Sequence, residues 1–307
     1  MQARLIAYPP DSAAVTRWIK PGDRLRVGRT ADCGLTLDHP SVSRSHAELD
    51  YLQDAGWRLC DLGSKNGSFV DGVAARDTAL KQSGWLRFGD VHCEIAFFEP
   101  VQADFIRGRE QERRALSAAM TRQIAQHADR DTLPDDILRG VLGLAGCSRG
   151  FLLLRDGDDY VVRASLMRKS GMPVTDMLDT NLDAEFLKTR AFSGSVGAVQ
   201  RALRQGEPVA INQVASDPWL SGRESVVAMG LHALVCLPLL DGQRLLGAVY
   251  ADRREPGEPI TQLDLELLGA FAESAAVWLL AGQALAALDA APRWNTIVAA
   301  HARGLAA

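Results

Sequence analysis

Three groups near the start of the chain have the types and spacing to hold an anion. Arg29 follows Gly28 at the end of a short β-type run, and its guanidinium is a planar fork of donors matched to phosphate oxygens. Ser43 lies in a polar loop with Ser41, Arg44 and Ser45 around it, and offers a short hydroxyl donor. Asn66 stands in an Asn-Gly turn and carries a donor and an acceptor on one amide, the pair needed to grip the backbone of an extended peptide. Loops held on a rigid scaffold are the natural place for such recognition groups.

Groups that would do catalysis are not assembled in the same way. The chain has no Gly-x-x-x-x-Gly-Lys phosphate loop, no nucleophile elbow and no His-Glu-x-x-His pair, so it is not expected to be an enzyme. Cys33, Cys60, Cys93, Cys147 and Cys236 are widely scattered, without a Cys-x-x-Cys pair or a histidine at zinc-ligand spacing. They read as small buried hydrophobes in a reducing cytoplasm, and neither a metal nor a cofactor is expected. A net charge of −4 with no basic run argues against nucleic acid and membrane surfaces as partners, because both need clustered Lys and Arg. No leader segment is read at the N-terminus. The most apolar stretch, Gly269 to Leu288, contains Glu273, Ser274 and Gln283 and reads as a packed helix of a soluble protein.

The elements that must position Arg29, Ser43 and Asn66 are short. Arg4–Tyr8, Ala13–Ile19, Arg24–Val27, Ala47–Leu52, Trp57–Asp61, Ser68–Val70, Trp85–Phe88 and His92–Phe98 are brief runs rich in β-branched and aromatic residues, separated by Gly, Pro, Asn and Asp. That rhythm predicts a β-sandwich over residues 1–99, with Pro100 ending its last strand. Residues 100–130 form a charged helical connector whose thin stripe of Leu116, Met120 and Ile124 fits either a solvated spacer or half of a dimeric signalling helix. From 131 to 289 helices and strands mix. Thr132 is expected to cap a helix ended by Gly146, Ser195–Gln205 reads as a second helix, and two hairpins turn around residues 156–159 and Asp241-Gly242. A last helix runs from Thr261 to Asp289, with Leu263, Leu267, Phe271, Trp278 and Leu279 as its buried positions. A short tail, 290–307, completes the chain.

In order and spacing, Arg26-Val27-Gly28-Arg29, Ser43-Arg44-Ser45-His46 and Asp61-Leu62-Gly63-Ser64-Lys65-Asn66-Gly67 resemble the signature of forkhead-associated (FHA) domains. Leu86-Arg87-Phe88-Gly89-Asp90 fits the same family's terminal strand entry. The resemblance implies that Arg29 and Ser43 hold the phosphate of a phosphothreonine peptide, that Asn66 bonds its backbone, and that Arg44 adds a second phosphate contact. His46 becomes an internal strut for the Ser43 loop, and Gly28 and Gly67 permit tight turns. Lys65 departs from the Thr common before the Asn, keeping a cationic donor there, and Asp71-Gly72 replaces the frequent Asn-Gly.

Residues 131–289 resemble a GAF domain, through Gly150–Leu154, Gly194-Ser195-Val196, Gly206–Val209, Asp217-Pro218 and above all Gly230–Leu239 followed by Gly247–Asp252. This implies an antiparallel sheet with helices on one side and a small-molecule pocket on the other. Asn212 lacks the following Lys of cyclic-nucleotide binders. Cys236 reads as core rather than a bilin attachment point, and His232 as a surface or capping residue rather than a haem ligand. Met167, Met172 and Met177 fit a pocket cover or loop filler equally, and Asp252-Arg253-Arg254-Glu255 read as a solvated charged turn.

The resulting expectation is a multidomain chain, an all-β FHA sandwich followed by an α+β GAF-like domain with flanking helices. It would act as a cytoplasmic adaptor binding phosphothreonine partners made by a Ser/Thr kinase, with an unknown small molecule in the GAF pocket as a further ligand. The excess apolar surface of the last helix predicts a homodimer. Two alternatives stand beside it: a transcriptional regulator whose output module is missing from this chain, and a small-molecule sensor with an internally docked FHA domain.

Overall fold

The structure is a computed structural model. It describes residues 1–10, 12–54, 56–127, 132–167, 192–212 and 230–290, with side chains left out at some α1 positions and at 289–290. Asp217-Pro218, Met172, Met177, the side chains of Leu116 and Ile124, and the 291–307 tail therefore lie outside the described residues.

Eleven short strands build the first domain: β1 (Gln2–Tyr8), β2 (Val15–Ile19), β3 (Arg24–Gly28), β4 (Leu35–Thr36), β5 (Ala47–Leu52), β6 (Gly56–Asp61), β7 (Ser68–Val70), β8 (Val73–Ala75), β9 (Asp77–Leu80), β10 (Gly84–Phe88) and β11 (Val91–Phe98). They form one sheet in the order β2-β1-β11-β10-β7-β8 and another in the order β4-β3-β5-β6-β9. Alternation sets the core. In β1, Ala3, Leu5 and Ala7 are fully buried and meet Val27, Leu49, Leu59, Phe88 and Ile95 between the sheets. The expected strands are present. Sequence pattern missed β4, β8 and β9, which are two to four residues long and mostly lack an apolar alternation.

Pro100 does more than end β11. It is the first residue of α1 (Pro100–His127), where its missing N–H costs nothing. The helix thus begins earlier than its charged stretch suggests. It is not a free spacer, since Met120 packs against the core of the second domain and α1 lies beside that domain's 133–145 and 262–290 helices.

The second domain holds α2 (Leu133–Ala145), β12 (Arg149–Asp156), β13 (Asp159–Met167), α3 (Val196–Gln205), β14 (Val209–Asn212), β15 (Ala233–Asp241), β16 (Arg244–Arg253) and α4 (Gln262–Ala290). The sheet runs β13-β12-β16-β15-β14 and is antiparallel throughout. On one face α2 and α4 pack over Leu152, Val235, Leu237 and Val249. On the other, α3 covers Leu153, Leu234, Cys236 and Tyr250.

Helix ends follow local chemistry. Ser195 caps α3 by accepting from Ala198 N (3.3 Å). Thr261 and Asp264 form a reciprocal box at the start of α4, with Asp264 Oδ2 accepting from Thr261 N (2.8 Å) and Thr261 Oγ1 from Asp264 N (3.3 Å). Thr132 does not cap α2: its backbone is helical and its hydroxyl instead donates to Asp136 Oδ2 (3.1 Å).

The buried stripe of α4 is Asp264, Leu268, Phe271, Ala272, Ala275, Ala276 and Leu279. Leu263, Leu267 and Trp278, expected inside, are only half-buried. The alanines lie on the packed side, so the face is fixed by what it packs against and not by side-chain size. By length and composition alone, Gln262–Leu288 could cross a membrane; here its first part is a core helix.

The two domains touch directly. Ala14 N donates to Ile260 O (2.9 Å) and Gln262 N to Ala14 O (2.8 Å), which lays the 260–262 segment parallel to the start of β2. Ala13 is part of the second domain's core.

Candidate functional site

The loops after β3, before β5 and after β6 meet at one end of the sandwich. Gly28, the last residue of β3, lets them close: a Cβ there would sit 2.2 Å from Arg44 O and 2.7 Å from Cys33 Sγ. Its role is close approach of backbone and not the tight turn expected of it. Gly67 is the turn residue, with φ +77°. The closure brings Arg29 N to Ser43 O (2.9 Å) and Thr30 Oγ1 to Arg44 O (2.9 Å).

His46 holds this arrangement from inside. It is fully buried, edge-on to Phe88, and its Nδ1 accepts from Ser43 N (3.0 Å). A backbone N–H can only donate, so Nδ1 carries no proton; Nε2 then carries it and donates to Gly67 O (3.1 Å). The neutral ring fits both partners. Burial lowers its pKa below the ordinary histidine value, outweighing the Gly67 carbonyl and the charge of Asp61.

The Ser43 hydroxyl accepts from Lys65 N (3.0 Å), which leaves its own hydrogen to donate outward. Asn66 Nδ2 donates to Ser41 O (2.8 Å), so the amide braces the loop as well as offering its remaining donor and its oxygen. Ser41 is itself fixed by His39 Nδ1 (2.7 Å) and by Asp90 N (2.8 Å). Arg29, Arg44, Lys65 and Asn66 are exposed, and Ser43 is half-buried. Among the described residues the side chains of Arg29, Arg44 and Lys65 have no carboxylate partner and no hydrogen bond. Every expected site residue thus lies in the loops at one end of the sandwich, and the charges of Arg29, Arg44 and Lys65 are unpaired among the described residues.

Asp61 escaped the sequence reading as a positioning residue. Its Oδ1 accepts from Gly63 N (2.9 Å) and Ser64 N (2.8 Å), and its Oδ2 from Ser64 Oγ and Ser68 Oγ, both at 2.6 Å. Burial works to raise this carboxyl, but the four donors overcome it and hold it below the ordinary Asp range. An Asp two and three residues before Gly-Ser is an Asx-turn signal that could have revealed it. Asp71, in the turn after β7, also uses its carboxylate. Its φ is +45°, and its Oδ1 accepts from Trp85 N (2.8 Å), which ties β10 to the turn.

The second domain offers a different picture. Asp252 and Arg253 are not a solvated turn. Asp252 is 1% exposed and pairs with Arg149, Nε to Oδ1 at 2.9 Å and Nη2 to Oδ2 at 2.5 Å, while Arg149 Nη1 reaches Ser193 Oγ (3.1 Å). Arg149 and Asp252 are direct partners across β12 and β16, so the pair belongs to the sheet. Beside it Phe151, Phe192 and Tyr250 pack in T-shaped and tilted pairs, ring centres 5.2–6.2 Å apart, in the cluster under α3 on the face where a pocket was expected. Cys236 is fully buried in β15, and burial pushes its thiol up to about 12. His232, at the edge of β15, is half-buried and pairs through its backbone with Arg253 O. Asn212 spends its amide on the backbone of Ile260, at 2.9 and 2.8 Å.

The family comparisons agree with this division. The FHA domain model matches residues 25–89, and the GAF domain model matches residues 129–279. The chain carries an FHA domain, a β-sandwich of two sheets, followed by an α+β GAF domain with a long C-terminal helix. No curated protein matches it. Among solved structures it is similar to the FHA domain of the CT664 protein from Chlamydia trachomatis, at 22% identity over 32% of this chain and 100% of that one, TM-score 0.30. It is also similar to an FHA domain analysed for phosphothreonine-dependent interactions (22%, 31% and 98%, TM-score 0.28). A third is the FhaA FHA domain in complex with the intracellular domain of Rv3910 (23%, 30% and 98%, TM-score 0.26).

Proposed function

We propose that this chain is a cytoplasmic, non-enzymatic adaptor that binds phosphothreonine segments of partner proteins, the products of a Ser/Thr kinase. One observation carries the reading: Arg29, Arg44 and Lys65, exposed and without a partner among the described residues, belong to the same loop cluster as a Ser43 hydroxyl that accepts from Lys65 N and keeps its hydrogen to donate. A phosphate brings close to two negative charges and three strong acceptors, which match those donors; an unmodified Thr brings neither. Asn66 then takes the peptide backbone, and Lys65 supplies the cation where a Thr is common in this family.

The test is fluorescence anisotropy with a peptide selected from a phosphothreonine library, alongside its phosphoserine and unmodified forms. Arg29→Ala should weaken binding by about tenfold or more, because a charge-assisted contact is lost. Ser43→Ala should cost less. A phosphopeptide that binds no better than its unmodified form, or an Arg29→Ala protein that binds like wild type, ends the proposal.

The GAF domain serves self-association in this reading. Beyond the core stripe, Val277, Leu285 and Leu288 of α4 are 63%, 61% and 70% exposed, more apolar surface than one helix face needs in water. A parallel homodimer packed along α4 would cover it. Light scattering at micromolar concentration should give a dimer mass, and Leu285→Glu with Leu288→Glu should give a monomer.

A further inference from the structure

The outer face of the first sheet is not an ordinary solvated face. Since Ala3, Leu5 and Ala7 point inward, Arg4 and Ile6 point outward, and Trp18 and Phe98 share their side through the strand registers Arg4↔Trp18 and Gln2↔Phe98. Ile6 is nevertheless only 4% exposed, and it shares the lining of one cavity with the second domain's 258–263 segment. Between sheet, α1 and that segment is a cavity of about 690 Å³, the size of a small-molecule site.

Its floor is rich in donors and poor in acceptors. The Arg4 guanidinium lies 5.9 Å from the Trp18 ring centre and 5.2 Å from that of Phe98, and the Arg107 guanidinium lies 5.0 Å from Trp18. Two lining residues keep a buried N–H without an acceptor among the described residues, Arg4 Nε and Trp18 Nε1, and Arg107 Nε, on the Trp18 ring but outside the lining, is a third. Arg107 is partly satisfied through Asp104 and Gln2. Arg4 has no hydrogen bond or ion pair with any described residue, and Glu94, the carboxylate on its face, accepts from the Tyr8 hydroxyl at 3.3 Å. Buried donors without acceptors are costly, and native proteins rarely keep three together. Arg109 stands exposed and unpaired among the lining residues, while Glu258 and Glu266 belong to the second domain's wall.

We propose that this seam between the domains is a second anion site, separate from the Ser43 loops. Its ligand is a small organic molecule with a carboxylate or phosphate group seated on the Arg4 and Arg109 guanidinium groups. The acidic wall dictates the other end, which carries amino or hydroxyl donors for Glu258 and Glu266. Because the cavity is walled by both domains, the ligand joins them, and its occupancy stiffens the seam made by Ala14 and the 260–262 backbone.

The test is calorimetry on the full chain with three probes: L-glutamate for the carboxylate, adenosine 5′-monophosphate for the phosphate ester, and inorganic phosphate for the anion without a donor-bearing body. Saturable binding of L-glutamate or the nucleotide is expected, tighter than that of inorganic phosphate. It should fall about tenfold or more in Arg4→Gln, where a charged contact is removed. Arg29→Ala should leave it unchanged, which keeps this site distinct from the phosphothreonine reading. Should Arg4→Gln lower the melting temperature, Arg109→Gln decides, since that exposed side chain supports no packing and its loss should still weaken binding. The proposal is overturned if none of the probes saturates up to about 10 mM, a very weak affinity. It is equally overturned if binding survives Arg4→Gln with the fold intact and Arg109→Gln, or disappears in Arg29→Ala.

Discussion

Two arginines show how differently the domains use the same side chain. Arg29 follows β3 on an exposed loop, has no carboxylate partner among the described residues, and has its backbone held by Ser43 O. Arg149 opens β12, is 11% exposed in its side chain, and gives both sides of its guanidinium to Asp252 across the strand pair. The first charge is available to a ligand; the second is consumed by the fold. Recognition is therefore to be sought where charge is left unsatisfied on a rigid loop, and a charged motif such as Asp252-Arg253 is no guide until its partners are known.

The sharpest way to break the contrast is to remove Asp252. Asp252→Ala leaves the Arg149 charge buried and uncompensated, and losing one partner of a buried pair costs about 3–5 kcal/mol. Urea denaturation should show that loss, and replacing Arg149 as well should recover part of it. Arg29→Ala should leave the same denaturation curve unmoved while removing phosphopeptide binding. If both variants destabilise alike, the division between structural and available arginine is wrong.

A methyl group at Gly28 should produce a smaller effect. It would meet Arg44 O at 2.2 Å, so the Ser43–Arg44 segment has to shift. Phosphopeptide affinity should drop by about tenfold in anisotropy, equivalent to about 1.4 kcal/mol. Gly197→Ala on α3 is the counterpart: nothing lies within 4 Å, and helix propensity should make it neutral or stabilising by about 0.5–1 kcal/mol.

The smallest effect concerns acid. His46 has a lowered pKa in the folded chain, so the unfolded chain binds more protons as pH falls. Its contribution to stability is complete above the ordinary histidine value near 6.5, and is lost as pH falls from there through the folded pKa. Protonated Nδ1 could no longer accept from Ser43 N, so the phosphate loop loosens with it. Nuclear magnetic resonance titration of the His46 ring in the unliganded protein should give a midpoint below 6.5, free of the peptide phosphate's own titration. A midpoint above that value would mean the ring is charged in the fold and the Nδ1 acceptor assignment is wrong.

The order and spacing of short motifs were enough to read the FHA domain, but not how its loops are held: His46 reaches Gly67 and Asn66 reaches Ser41 across more than twenty residues, and Gly28 serves a close approach to Arg44. The start of α4 at Thr261 was legible from the sequence, whereas Ser195 was read as the first helical residue of α3 and proves to be its cap. Asp61 was legible in principle, through its spacing to Gly63 and Ser64. The very short strands β4, β8 and β9 were not, since two to four residues carry no periodicity.

The sequence by itself determined the two domain types and the eight main sandwich strands. Those depend on alternation, turn residues and side-chain type, which are local properties. Tertiary structure alone decided that Asp252 would be buried on Arg149, since cross-strand partners 103 residues apart meet only when the sheet forms. It also decided that α4 would bury Ala272, Ala275 and Ala276 beside Leu268, Phe271 and Leu279 while Leu263, Leu267 and Trp278 stay half-buried, because a helix face is fixed by what it packs against. And it placed Arg4 and Trp18 against a wall from the other domain. Nothing in the spacing along β1 and β2 distinguishes an outward arginine in water from one that lines a cavity; only the docking of the second domain beside it makes that difference.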